Sequence, residues 1–427
     1  MFFGDIMLDI VNKVVWCFTT FIIIIIGIFY SFKLKGIQFK FGSMIRSIFR
    51  SNGSVSAFGL LMTSLAGRIG VGSIAGVALS IYVGGVGSIF WMWISTFLCA
   101  VITYVESVLG VKYKVRNGDS YRGGPAYYIR DGIGNKILGS VYAILMIVSY
   151  IGCFLSIQSN TITKSLTDIM AISPYVVGLI IVVFTFFCIC GGFKKIVSVS
   201  EKLVPIMTFI YVGSAVMIFV TNLSDMLNLF LFIFKDAFNF KSILGGFIPM
   251  FIIGIQRGVF SNEAGLGTSS IVASSTSNDD YKRQGMIQMF GIYITTLIIC
   301  TSTAIILLSS DYYLLNIDDI NGIELALHAF KYHFGNIGIY IMVISVLLFS
   351  FSTVLTGYYY GESCLEYFFD KPNIKCIYIL RGVTLLILFL GCIVSSAFLW
   401  SFVDILVGII VIINLYAIWK LRNDLDS

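Results

Sequence analysis

Gly67-Arg-Ile-Gly70-Val-Gly72-Ser-Ile-Ala-Gly76 places four glycines and an arginine inside one otherwise apolar segment of membrane-spanning length. A helix in lipid must satisfy its backbone hydrogen bonds within itself, and each interior glycine costs about 0.5–1 kcal/mol relative to alanine. The cluster therefore predicts a helix that opens here. Opened backbone at membrane depth survives only where it is buried in protein or lines a cavity. The stretch reads as the place where a transporter holds its cargo.

The rest of the chain agrees with a membrane setting. Its 427 residues are 58% hydrophobic and 12% charged, with a mean hydropathy of +0.95. A soluble domain carries about 25% charged residues, so the reading is an all-α polytopic membrane protein whose partner is the lipid bilayer. The net charge of +6 comes from basic residues in short loops, which points to topology and away from nucleic acid. The first apolar run, 14–32, lacks a basic start and a small-residue cleavage site and reads as a retained span. Nine cysteines sit in or beside apolar runs and read as small buried hydrophobes. No transition-metal site, cofactor or protein partner is expected.

A span needs about 20 mostly apolar residues. Eleven fit, at 14–32, 56–83, 87–111, 137–162, 173–192, 203–221, 243–272, 284–309, 336–363, 376–397 and 399–420. Under that count 21 of the 28 Lys and Arg fall in loops of one side and 5 on the other (Lys13, Lys164, Lys235, Lys241 and Lys331). The positive-inside rule then sets the N-terminus outside and the C-terminus in the cytoplasm. Arg68 and Arg257 fall at membrane depth. The longest outer loop, 310–335, carries Asp311, Asp318, Asp319 and Glu324, and its stretch from Gly322 to His333 reads as a short helix over the outer mouth.

A second interrupted span follows five spans after the first: Gly254-Ile-Gln-Arg257-Gly258-Val-Phe-Ser-Asn-Glu-Ala-Gly265-Leu-Gly267. Five is odd, so the two interruptions have opposite orientation in the membrane. Paired broken spans in corresponding positions point to an inverted-repeat transporter. The expected organisation is one transmembrane domain over 1–427, with an extra helix at 14–32, one repeat at 56–221 and its inverted copy at 243–420. The bland alternative is two kinked helices using small residues for close packing.

An opened helix offers free N–H groups on one side and free C=O groups on the other. The half-helix N-terminus suits a carboxylate, and the freed carbonyls suit a cation. The amides of Val71 and Gly72 are the candidates for the carboxylate. Glycine-rich walls at Gly70–Gly72 and at Gly254, Arg257 and Gly258 leave room for a small side chain, with Phe260 as lid or floor. Of the carboxylates in spans, Glu106 and Glu362 read as solvated helix ends, Glu263 as a neutraliser of Arg257, and Asp404 stays open.

These motifs resemble the alanine or glycine:cation symporters. The likeness is dense at 67–78, at Gly84-Gly85-x-Gly-x-Ile-Phe-Trp-Met-Trp93, at Arg122-Gly-Gly-Pro-Ala-Tyr-Tyr128, at Gln158-Ser-Asn160, at 254–267 and at Phe349-Ser-Phe-Ser-Thr353. It implies an extra first helix before a five-plus-five inverted-repeat core of the leucine-transporter type. It also implies a cation held by the carbonyls of Ala66, Ile69 and Phe349 with Ser352 and Thr353, and a pocket that includes Gln158 and Asn160. The chain departs from the family at Ser73, where an Asn is usual, and at Val71, where Thr or Ser is usual. A serine reaches less far than an asparagine, which argues against a cation beside the substrate carboxylate, and Arg68 is the expected substitute for its charge.

The function read from these residues is secondary active symport of a small neutral amino acid, alanine or glycine, with Na⁺ across a prokaryotic cell membrane. Proton-coupled or exchange-mode transport is the alternative. A membrane enzyme or amino-acid sensor is disfavoured, since clustered His, Asp or Cys, a phosphate-binding loop and a signalling domain do not show in the sequence.

Overall fold

The computed structural model describes residues 3–49, 55–118, 120–170, 172–239, 246–310, 322–369, 373–394 and 397–425. In chain order the helices are α1 (Phe3–Lys33), α2 (Phe41–Phe49), α3 (Ala57–Arg68), α4 (Ala75–Gly84) and α5 (Ser88–Lys112). A small hairpin, β1 (Val115–Asn117) and β2 (Ser120–Arg122), leads to α6 (Pro125–Asp131), α7 (Lys136–Ile147), α8 (Leu155–Met170), α9 (Pro174–Ile189), α10 (Gly192–Thr221) and α11 (Leu223–Ala237). Then come α12 (Ile248–Asn262), α13 (Thr268–Ser274), α14 (Tyr281–Tyr293), α15 (Thr301–Leu308), α16 (Gly322–Glu366), α17 (Ile374–Gly391) and α18 (Ala397–Lys420). Single π-helical stretches, Val148–Phe154 and Ile294–Cys300, join α7 to α8 and α14 to α15.

Among the described residues eight helices are long and apolar enough to cross a bilayer, and α3 with α4 makes a ninth span bent by 68°. Two expected spans take other forms. The segment 173–192 is the shorter α9, and 243–272 is divided into α12 and α13. The expected span 203–221 begins earlier, at Gly192, so Lys194, Lys195 and Lys202 ride on its first turns. The connection after it contains α11, whose Asp225 and Lys235 stand in its first and last turns. Asp311, Asp318 and Asp319 lie outside the described residues. The helix expected from Gly322 is there and runs on into the ninth span across one non-helical residue, Gly335. Its buried Ala326, Ala329 and Phe330 pack with α3, α4 and α10.

Hydrophobicity cannot hold apolar helices together in lipid, so close packing and interhelical hydrogen bonds do it. α1 is fastened along α18 by three donors: Trp16 Nε1 to the Asp404 carbonyl at 3.0 Å, Thr19 to that of Gly408 at 3.4 Å, and the Tyr30 hydroxyl to that of Ile418 at 2.7 Å. α5 runs through the centre, packed along α14 on one side and α12 on another. The α12 contact depends on Gly254 and Gly258, one turn apart. A Cβ on Gly254 would stand 2.5 Å from the Ser88 carbonyl oxygen, and one on Gly258 3.2 Å from Met92 Cγ. These two glycines therefore serve the α5–α12 contact and do not wall the first break, which corrects the expectation from sequence.

Gly258→Leu should force α12 off α5 and lower the thermal stability of the detergent-purified protein by about 1–3 kcal/mol, as overpacking does. Gly76→Ala, whose new methyl would meet only Arg257 Cδ at 3.9 Å, should leave melting unchanged or raise it slightly. Melting curves of the two variants test the assignment.

Candidate functional site

The first break is an opening of the helix at the glycines. α3 ends at Arg68, Ile69 leaves helical geometry at φ −84°, ψ 73°, and Gly70 is extended at φ −116°, ψ −162°. The backbone beyond is a single 3-10 turn, Val71–Ser73, before α4 resumes. The carbonyls at the end of α3 are freed on one side and the amides of Val71 and Gly72 on the other.

Side chains from other helices meet both sets. Ser352 Oγ and Thr353 Oγ1 each donate to the Ala66 carbonyl at 3.1 Å, and to the Phe349 carbonyl at 2.9 and 3.0 Å. Thr353 also lies 3.4 Å from the Gly67 carbonyl. Five oxygens thus converge in a space closed to solvent, with Ile69 buried beside them. A hydroxyl that donates to a carbonyl can turn its lone pairs to a cation instead, which makes this an oxygen cradle of the kind hard ions take. On the amide side Gln158 Oε1 accepts from Val71 N at 3.5 Å, a long contact. The glycines are needed for the approach: a Cβ on Gly70 would lie 2.6 Å from Thr353 Oγ1 and 3.3 Å from Gln158 Nε2, and one on Gly72 3.0 Å from the Phe260 ring. Phe260 stacks on Phe154 at 5.2 Å and leans on Trp400 at 5.6 Å. Val71, Gln158 and Phe260 are 1, 2 and 5% exposed, so the place is sealed.

Gly70, Val71, Gly72, Gln158 and Phe260 are thus brought together at the first break, and Ala66, Ile69, Phe349, Ser352 and Thr353 beside them. Other expected residues are not. Asn160 Nδ2 donates to the Gly391 and Val394 carbonyls at 3.2 and 2.8 Å, tying α8 to the end of α17. Ser73 Oγ lies 3.3 Å from the Arg68 carbonyl across the break and shares a hydrogen bond with Ser261 at 2.8 Å, which in turn meets Cys300 Sγ at 3.1 Å. A thiol is a poor partner for a hard cation.

Arg257 is spent on Asp404, its two terminal nitrogens 2.7 and 3.3 Å from the carboxylate, which Gln256 also reaches at 3.2 Å. Its guanidinium lies 5.7 Å over the Phe260 ring. Beside this pair a cleft of ≈ 390 Å³ runs between Trp16, Leu79 and Ile253. At the opposite end β2 holds Arg122 against Glu366, with Glu362 at 3.4 Å and the Tyr359 ring at 5.5 Å. Arg122 and its two glutamates are buried, whereas Arg257 is half-buried beside the cleft and covers a buried Asp404.

The second break, between α12 and α13, is built differently. Glu263 adopts left-handed φ 57°, and Gly265 and Gly267 follow at φ 78° and 90°. The freed groups find partners: Ala264 N on Asn262 Oδ1 at 3.0 Å, the Gly265 carbonyl from Asn414 at 2.7 Å, the Leu266 carbonyl from Tyr142 at 2.5 Å, and Gly267 N on Glu106 Oε2 at 3.1 Å. Glu106 is thus a fully buried cap and not a solvated helix end, and Glu362 is likewise buried and paired. Glu263 bonds to the Tyr150 hydroxyl at 2.7 Å rather than neutralising Arg257. Arg68 reaches the Gln288 carbonyl at 3.1 Å and Ser269, so it joins α3 to α13 and α14 and leaves the substrate side uncharged.

Sequence reasoning missed Phe154, Trp400, Ser261 and Cys300. Isolated aromatics and small polar residues on long apolar helices carry no spacing signal, and only the packing of α12 and α18 with the two π-helical stretches gathers them.

Over residues 1–425 the chain matches the sodium:alanine symporter family. It is 36% identical to the amino-acid carrier protein AlsT of Bacillus subtilis, covering 99% of this chain and 90% of that one. It is 34% identical to the sodium/alanine symporter AgcS of Methanococcus maripaludis, over 87% and 83% of the two chains. The probable sodium/glutamine symporter GlnT of Bacillus subtilis is also 34% identical, over 97% and 87%. Among solved structures the fold matches MhsT in complex with L-phenylalanine, at TM-score 0.63 and 13% identity over 87% of this chain and 90% of that one. It also matches a Na⁺-coupled sialic acid symporter at TM-score 0.54 and 14% identity, over 92% and 82%. These likenesses give the chain the fold of the leucine-transporter-type symporters. With the family profile matched over nearly its full length, the chain belongs to the sodium:alanine symporter family.

Proposed function

We propose that this chain, a cation-coupled amino-acid symporter by family, takes up alanine or glycine with Na⁺, and that the first break holds both. The observation that carries the reading is the meeting of one set of oxygens and one set of amides on a single opened helix. Ala66, Phe349, Ser352 and Thr353, with the Ile69 carbonyl, surround the cation, and the Val71 and Gly72 amides take the substrate carboxylate with Gln158. The Na⁺ cradle and the carboxylate site share residues 66–72, so filling one orders the other. Phe260, 3.0 Å from where a Cβ on Gly72 would be, restricts the substrate side chain to a small one. The eleven-span count, the 56–221 and 243–420 repeats and an outside N-terminus belong to the same reading. The pairing of α5 with α14, the expected third and eighth spans, supports it. Alternating access then opens the Arg257–Asp404 end and the Arg122–Glu366 end in turn. One charge moving across about 100 mV contributes ~2.3 kcal/mol, enough for roughly 50-fold accumulation.

Uptake of labelled alanine into proteoliposomes, driven by Na⁺ or by choline in its place, tests the reading directly; Na⁺-independent uptake overturns it. Ser352→Ala with Thr353→Ala should weaken Na⁺ activation roughly 10- to 100-fold, at about 1.5–3 kcal/mol for a lost contact to a charge. Gln158→Ala should raise KM for alanine while Na⁺ binding persists, separating the two halves of the site. Removing Arg257 leaves Asp404 as an uncompensated buried charge, worth about 3–5 kcal/mol, whereas removing Asp404 leaves a half-buried Arg257 beside the cleft at a smaller cost. Arg257→Ala and Asp404→Ala should each depress uptake, and the exchanged pair Arg257→Asp with Asp404→Arg should recover part of it.

A further inference from the structure

A second charged centre lies at the break between α12 and α13, and the symport reading leaves it unused. Arg68, Glu106 and Glu263 are 2, 0 and 2% exposed, and both carboxylates are within coulombic reach of the guanidinium. The guanidinium spends its hydrogen bonds on Gln288 and Ser269. Glu106 Oε2 takes Gly267 N at 3.1 Å and Asn414 at 2.9 Å, while its Oε1 has no well-directed donor among the described residues, though the Ser269 hydroxyl is within reach of the carboxyl. Glu263 Oε1 takes the Tyr150 hydroxyl at 2.7 Å, while its Oε2 has no well-directed donor among the described residues, though the Thr268 and Tyr360 hydroxyls are within reach of the carboxyl. The Thr268 hydroxyl, fully buried next to Glu263, likewise makes no well-directed hydrogen bond. The other titratable groups turned toward the centre are the phenols of Tyr128, Tyr142 and Tyr360 and the Cys99 thiol, all uncharged in their ordinary state.

One guanidinium can balance only one of the two carboxylates, so the other needs a proton or another cation at membrane depth. Isolated buried charge is costly, and buried oxygens without well-directed donors call for an occupant. The break itself is strained at Glu263, a non-glycine residue at φ 57°, a conformation costing on the order of 1–3 kcal/mol that clusters at functional sites. We propose that this centre binds one monovalent cation, a proton or Na⁺, separate from the cation cradled by Ser352 and Thr353. Its ligand oxygens are Glu106 Oε1, Glu263 Oε2 and Thr268 Oγ1. Arg68 closes α3 immediately before the first break, so the occupant acts on both interrupted helices.

The test counts bound radioactive Na⁺ on the purified full-length protein in detergent and records its infrared spectrum for the stretch of a protonated buried carboxyl. Two Na⁺ in the wild type, with one lost in Glu263→Gln and the other in Ser352→Ala/Thr353→Ala, identifies Na⁺ as the occupant. One Na⁺ with a protonated-carboxyl band that disappears in Glu263→Gln or Glu106→Gln identifies a proton. No more than one Na⁺ and no such band in the wild type overturns the proposal, whether or not the variants fold. If Glu263→Gln loses a cation while Ser352→Ala/Thr353→Ala keeps all of its own, this centre stands and the Ser352–Thr353 cradle falls.

Discussion

Everything in this protein depends on how the backbone groups released at two broken helices are met without bulk water. A continuous helix in lipid closes its own hydrogen bonds, and a broken one must borrow partners from neighbours. At the second break the borrowing is complete for the groups that matter to the fold. Asn262, Tyr142, Asn414 and Glu106 hold the backbone from 264 to 267, so this break is a rigid structural joint. At the first break the partners are Gln158 at a long 3.5 Å and two hydroxyls that donate to carbonyls. Those are partners that a carboxylate and a cation can replace at little loss. The first break thus leaves its backbone groups exchangeable for a ligand, while the second holds its own in place.

Charge follows the same logic. Arg257 with Asp404, and Arg122 with Glu362 and Glu366, sit at opposite ends of the sealed centre. A buried ion pair contributes little net stability against a well-packed apolar contact, yet separating it is expensive. It is therefore a fastening that holds until wetted. Water entering an opening end lowers the cost of parting the pair there, while the dry pair at the other end stays shut. Arg257 also lies over Phe260, so the fastening at its end touches the wall of the substrate space directly.

The first break was legible from a local rule, since glycines in a lipid-length run predict an opening. Its oxygens at Ser352 and Thr353 and the amide of Gln158 came only through the family resemblance, because a hydroxyl or amide on an apolar helix follows no such rule. Gly254 and Gly258 were misread because a small residue permits close packing and open backbone alike; the partner, here Ser88 and Met92 of α5, decides which. Glu106 and Asn160 were misread for a related reason. A polar side chain on an apolar helix shows that a partner exists, and the sequence does not say whether that partner is substrate, water or another helix's backbone. Both turned out to serve backbone, Glu106 at Gly267 and Asn160 at Gly391 and Val394.

The placement of Ser73 bears on how many ions the first break can take. Its hydroxyl is engaged with Ser261, and the next link is the Cys300 sulfur. Its own carbonyl is occupied by the Thr303 hydroxyl at 2.9 Å, which is bonded in turn to Tyr211 at 2.8 Å. These oxygens carry no formal charge and are hydrogen-bonded to one another, and their chain ends in a thiol, a poor partner for a hard cation. Oxygen without a well-directed donor lies instead on the far side of Arg68, at Glu106 and Glu263, where one guanidinium faces two carboxyl groups. The arginine that interrupts the glycine cluster thus divides two polar regions: a neutral one built of carbonyls and hydroxyls, and an acidic one built of carboxylates. Its guanidinium belongs to the acidic one, which keeps positive charge away from the cation cradle and lets a cation enter there without repulsion.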